Sequence, residues 1–152
     1  MKNQENVENP ERFSVREFGQ VPAWTSFVLQ HPRFGPVPGK RFLQAELGLT
    51  GMEISLNALP AGKGVPFLHG HRQNEELYLY LSGQGQMLLD DELVDVAAGT
   101  AVRVAPPVMR SCRNTGTEPL TYLCIQAKVG SLVQATAKDG FIGDTPPVWP
   151  AA

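Results

Sequence analysis

The stretch Gly64 to Gly83 reads GVPFLHGHRQNEELYLYLSG, and its alternation decides the fold. From Glu76 the chain runs Glu76-Leu77-Tyr78-Leu79-Tyr80-Leu81, so an extended strand puts Glu76, Tyr78 and Tyr80 on one face and the three leucines on the other. His69 and His71 flank Gly70, and the same period of two aims both imidazoles to one side. After the turn-like Arg72-Gln73-Asn74, a hairpin sets Glu76 beside the histidines. Two nitrogen ligands and one carboxylate oxygen on adjacent strands suit one divalent transition metal, such as iron, zinc, manganese or nickel, with positions open for substrate or water.

Similar runs continue outward from this stretch. Arg41 to Leu47, Met52 to Leu59, Val65 to His71, Glu76 to Ser82, Gln86 to Leu89, Leu93 to Val96, Ala101 to Val104, Met109 to Arg113 and Leu120 to Lys128 are each bounded by Gly, Pro, Asn or Asp. Short strands with turn-makers between them predict an all-β, antiparallel fold closed as a barrel or double-sheet jelly roll, with inward polar residues able to meet a ligand. Residues 1–40, with five prolines, read as an N-terminal arm with a polar tip; residues 41–130 form the barrel. Residues 131–152 form a turn-rich segment that packs back on it, with Trp24 and Trp149 as anchors, in a single domain.

The 152 residues are 42% apolar, enough for one core. A net charge of −2 argues against nucleic acid as a partner. The polar opening MKNQENVENPERF is not a signal peptide, and no run of about 18 apolar residues spans a membrane. A cytoplasmic setting follows, in which Cys112 and Cys124 read as buried thiols rather than a disulfide. Cys112 shares the parity of Arg110, which faces it toward the cavity as a soft ligand or nucleophile, with the buried inert thiol as the plainer reading. His31, Arg72 and Glu75 read as solvated surface residues. Phosphate loops, Cys-x-x-Cys pairs and Gly-x-Ser-x-Gly elbows are absent.

From Gly64 to Asn114 the chain resembles the cupin superfamily. The first cupin motif is matched by His69-Gly70-His71, four residues, Glu76, six residues and Gly83, with Gly64 one residue nearer than the motif asks. The second, counted from Gly99 in GTAVRVAPPVMRSCRN, keeps Asn114 but puts Arg110 where cupins usually carry a fourth metal ligand. Arginine stays protonated and cannot ligate. Three arrangements follow: an anion bridges a metal at His69, His71 and Glu76 to Arg110; no metal binds and Arg110 pairs with Glu76; or Arg110 turns away and water completes the metal shell.

The resemblance implies a metal-dependent enzyme acting on a small anionic metabolite, an organic acid, sugar or sugar phosphate, by isomerase- or dioxygenase-type chemistry. In that reading the catalytic residues are Arg110, which orients the anion, and Tyr78, which supplies a proton. The alternative is a non-catalytic ligand-binding module. The resemblance also implies a homodimer formed through the outer sheet and the terminal arms.

Overall fold

The structure, a computed structural model, describes residues 7–9, 12–135 and 138–150. Residues 1–6, where the expected polar tip of the arm begins, lie outside them. Strand β1 (Val7–Asn9) pairs with β2 (Phe13–Val15), and a 3-10 helix (Val21–Ser26) opens on Pro22. Strands β3 (Val28–His31) and β4 (Gly35–Pro38) form a hairpin, and β5 (Lys40–Phe42) runs into the short helix α1 (Gln44–Leu47). There follow β6 (Glu53–Leu59), β7 (Asn74–Ser82), β8 (Gln84–Leu89), β9 (Glu92–Ala97), β10 (Ala101–Val104), β11 (Arg110–Asn114) and β12 (Leu120–Lys128).

Two antiparallel sheets carry the site. One has the order β10-β7-β12-β6-β5 and the other β11-β8-β9. Their inner faces share a core in which Tyr78, Tyr80, Tyr122 and Cys124 meet Met87, Val96 and Cys112. The alternation read from β7 holds: Glu76, Tyr78 and Tyr80 are buried, while Leu77 and Leu81 are exposed on the outer face. A second cluster covers the outer face of β6, where Trp24 and Leu43 pack on Leu56 and Ala58. Each fully buried apolar side chain of this size contributes roughly 1.5–3 kcal/mol.

Gly39 fixes how the sheet edge joins this core. Its φ of +68° is left-handed, and a Cβ there would stand 2.0 Å from the Ala58 carbonyl oxygen. Only glycine permits that approach. The turn is pinned by the Ala58 N–H donating to Gly39 O at 2.7 Å, and it sets Lys40 opposite Asn57 and Phe42 opposite Ser55.

The expected all-β jelly-roll barrel needs correcting. The chain mixes strands with the helix α1 and a 3-10 helix, and among the described residues no sheet closes on itself or curls strongly; the sheets are separate and open. The physical reason lies in residues 65–71, expected as a strand. Pro66 has no N–H to give a ladder, and the segment joins the smaller sheet only through isolated bridges, Gly64 to Arg113 and His69 to Arg110. The run Arg41 to Leu47 likewise splits into β5 and α1, with the α1 C-cap at Gly48 in the left-handed region.

Among the described residues of 131–150 the large apolar side chains stand outward: Phe141, Ile142 and Trp149 are 93%, 96% and 81% exposed. Trp24, by contrast, is buried. No helix among the described residues is long and apolar enough to cross a membrane.

Candidate metal centre

Glu76 sits near the start of β7, flanked by β10 and β12, and its side chain enters between the sheets. The histidines come from the irregular segment before it. His69 exchanges both backbone hydrogen bonds with Arg110 (N to O 3.1 and 2.9 Å), and the His71 N–H donates to Pro106 O at 2.8 Å. Gly70 lets these two close on the loop before β11, since a Cβ there would meet Met109 Sδ at 3.1 Å and Pro106 O at 3.4 Å. The two rings end 5.6 Å apart, edge to face.

Ligand atoms of His69, His71 and Glu76 all lie within 4.8 Å of one another. His71 Nε2 is 2.9 Å from Glu76 Oε1, and His69 Nε2 is 4.0 Å from Oε2. Ligands adjacent on a six-coordinate ion, each about 2.1 Å from it, stand about 3 Å apart, so the His71–Glu76 spacing already fits. The carboxylate side chain is 4% exposed and the histidines 37% and 25%, which buries the charge and leaves the imidazoles in reach of solvent. This cluster is capable of coordinating a divalent metal.

The two carboxylate oxygens have separate duties. Oε2 accepts a hydrogen bond from Tyr78 Oη at 2.7 Å and lies 3.1 Å from Arg110 Nε. That second contact is an ion pair without an aligned hydrogen bond, for the buried Nε–H has no acceptor. Oε1 faces His71 Nε2 and accepts a longer bond from Cys124 Sγ at 3.4 Å. Burial alone would raise the Glu76 pKa, but the Tyr78 hydrogen bond together with the His71 and Arg110 charges outweighs it, holding the carboxyl below its usual range. His69 is pushed down, first by burial and then by the Arg110, His71 and Lys40 charges, against the pull of Glu76. An ionised carboxylate and a neutral imidazole are the forms a metal requires.

Arg110 is wholly buried. Its Nη1 donates to His69 O and Pro106 O, and its Nη2 to Ala105 O, each at 3.3 Å. The guanidinium therefore ties the histidine segment to the loop before β11 and pairs with Glu76; of the three arrangements read from the sequence, the one in which Arg110 turns away is not seen. Tyr78 donates its O–H hydrogen bond to Glu76 and keeps its proton, since burial, first of several causes, drives its pKa far above the phenol range.

Some placements differ from the sequence reading and some were missed. Cys124, not Cys112, touches the carboxylate, and burial first pushes its pKa up to about 12. Cys112 lies against Tyr122 Oη at 3.3 Å, and burial raises its pKa too. Arg72 is exposed, and Glu75 turns outward to Arg103 at 2.6 Å. His31 Nδ1 accepts the backbone N–H groups of Arg33 (3.1 Å) and Phe34 (3.2 Å), bracing the β3–β4 turn. From that turn Phe34 stacks on Phe67 at 4.6 Å, and Phe67 meets His69 edge-on at 5.9 Å. This aromatic wall beside the histidines was not anticipated, because the hairpin lies in the proline-rich stretch read as an arm.

Comparison with known proteins agrees with this geometry. The cupin domain family matches residues 56–126. An uncharacterized protein of Methanocaldococcus jannaschii is 39% identical over 57 residues, 38% of this chain and 46% of that protein, so the chain spans under half of that relative. A proposed sugar phosphate isomerase from Acidithiobacillus ferrooxidans is 30% identical with a TM-score of 0.53, over 59% of this chain and 58% of that one. A cupin protein from Bacteroides fragilis superposes with a TM-score of 0.67 at 45% identity, covering 68% of this chain and 88% of that one. With the family match, the two-histidine, one-glutamate cluster and a relative 45% identical over 88% of its length, the chain belongs to the cupin superfamily.

Proposed function

We propose that His69, His71 and Glu76 hold one divalent transition metal ion and that the protein is a metal-dependent enzyme of small anionic metabolites, with isomerisation of a sugar phosphate or related hydroxy acid as the first substrate class. The observation that carries this reading is the 2.9 Å approach of His71 Nε2 to an ionised, buried Glu76, at a point where both imidazoles remain accessible. The likeness to the proposed sugar phosphate isomerase supports the substrate class. Bound there, the ion supplies Lewis-acid polarisation of a substrate oxygen.

The chain's own residues do the rest. Tyr78 and Arg110 hold Glu76 through Oε2, leaving Oε1 directed at His71. Both act as positioning residues: Tyr78 spends its O–H on Glu76, and both Nη atoms of Arg110 donate to backbone carbonyls. Phe67 and Phe34 form an aromatic wall on the His69 side.

A second reading rests on the Arg110–Glu76 contact of 3.1 Å, in which that ion pair is the resting state of a non-catalytic ligand-binding module. Elemental analysis separates the two. Protein purified without added metal is expected to carry close to one equivalent of a divalent ion, and His71→Ala and Glu76→Gln are expected to carry almost none. Wild type that neither carries nor takes up metal defeats the first reading and leaves the second.

We also assign the outward apolar residues of 131–150 to a contact with a second copy of the chain, since exposed apolar stretches of this kind normally have a partner. Light scattering on a sizing column is expected to show a homodimer that Phe141→Ser with Ile142→Ser weakens. A stable wild-type monomer at micromolar concentration would remove the assignment.

A further inference from the structure

Lys40 reaches the same inner face from the sheet edge, and the cluster of His69, His71 and Glu76 gives it no task. Its Nζ donates to Asn57 Oδ1 at 2.8 Å and to Ser55 Oγ at 3.4 Å, and it lies 4.9 Å from the centre of the Phe42 ring. Asn57 and Ser55 are both buried. All of these partners are neutral. Among the described residues no carboxylate stands within ion-pair distance of Lys40. A largely desolvated ammonium normally finds an opposite charge, and one of its three N–H donors is still unused. Ser55 Oγ accepts from both Lys40 and Asn57 Nδ2, so its own proton is free to be donated.

The other cations near the site are already engaged or face away. Arg110 neutralises Glu76 and spends its fork on carbonyls. Arg41 pairs with Glu46 at 2.7 Å, and Arg103 with Glu75. Arg72 is exposed on its turn. Lys40 therefore leaves one positive charge uncancelled on the inner face, and that charge acts on both His69 and Glu76.

A short chain of side-chain contacts links the two places. Ser55 is the register partner of Cys124, and Cys124 Sγ touches Glu76 Oε1. Lys40 Nζ is 3.4 Å from Ser55 Oγ and Cys124 Sγ is 3.4 Å from Glu76 Oε1; with one cross-strand step of about 5 Å between Ser55 and Cys124, the ammonium and the carboxylate stand within about 12 Å, the span of a small molecule with two polar ends.

We propose that Lys40, with the Ser55 hydroxyl and the Phe42 ring beside it, binds the anionic group, a carboxylate or a phosphate, of a small ligand whose other end is presented to His69, His71 and Glu76. This rests on the reading of those three residues as a metal centre. It gives the site two poles, and it places substrate selection on the sheet edge rather than at Arg110.

Calorimetric titration of the full chain with inorganic phosphate and, separately, with succinate tests this, in the presence and absence of zinc. Lys40→Met is expected to weaken at least one anion tenfold or more, with zinc stoichiometry unchanged and Arg72→Met matching wild type. Lys40→Gln, which keeps a polar group toward Asn57, supplies the folded comparison if Lys40→Met does not fold, and is expected to show the same loss. The phosphate and succinate arms report which anion the site prefers. Equal affinity in wild type and a folded Lys40 variant, or no binding of either anion at millimolar concentration, overturns the proposal. A protein that takes up no zinc yet binds an anion through Lys40 refutes the metal centre and keeps this site; zinc uptake with anion binding indifferent to Lys40 does the reverse.

Discussion

In urea or guanidinium melts of the metal-free protein, Arg110→Met is expected to lower the unfolding free energy by about 3–5 kcal/mol. Arg110 is wholly buried and the Glu76 side chain is 4% exposed, so the substitution strands a carboxylate between the sheets. It also removes the donors that the carbonyls of His69, Pro106 and Ala105 accept. Glu76→Gln in the Arg110→Met background is expected to recover much of the loss, because the stranded charge is gone while the amide still meets Tyr78. The pH dependence has a definite sign. Arg110 is one of the groups holding the folded Glu76 pKa below its usual value, so the pair contributes fully above the ordinary carboxylate range and its contribution is lost as pH falls through the depressed folded pKa. The gap between wild type and Arg110→Met should therefore narrow in acid. A loss under about 1 kcal/mol near neutral pH, the scale of an exposed pair, would mean that the contact is not the buried brace described.

Metal affinity should respond to the same residue in the opposite direction. A doubly charged ion and a guanidinium about 6 Å apart repel by roughly 5 kcal/mol at an effective dielectric near 20. Arg110→His removes that repulsion and places an imidazole where cupins usually carry a fourth ligand. The expected result is binding of zinc or manganese at least ~100-fold tighter than wild type, equivalent to about 3 kcal/mol, read by competition with a chromophoric chelator. The offsetting loss is the weaker hold on Glu76, which Tyr78 alone must then orient. Unchanged or weaker binding would sink the idea that charge at position 110 limits the affinity of the site.

What was legible in the sequence was local. His69, His71 and Glu76 were found because ligand spacing is written in consecutive residues, and the parity of Tyr78 and Tyr80 because a strand alternates. The closed barrel was not found, and neither was a regular strand around the histidines, since counting strand-like runs says nothing of whether Pro66 leaves a ladder able to close. Cys124 was passed over for Cys112 because its meeting with Glu76 depends on the register of β12 against β7, a long-range pairing. Lys40 fell at the end of a proline-rich stretch, and only the left-handed turn at Gly39 reveals that it joins the sheet.

The two halves of the candidate site are anchored unequally. Glu76 lies within a ladder flanked on both sides, while the His71 amide rests on one bond to Pro106 O and His69 on its exchange with Arg110. In hydrogen exchange, amides of the central strand open with the whole sheet, whereas a segment tied at isolated points opens by itself at far lower free energy. An ion entering the proposed position would bind imidazoles that already reach solvent and that sit on this separately opening segment. Loading and release would be set by that local fluctuation, with the carboxylate waiting in place, and the guanidinium that spans His69 O and Pro106 O would act as the latch on the rate.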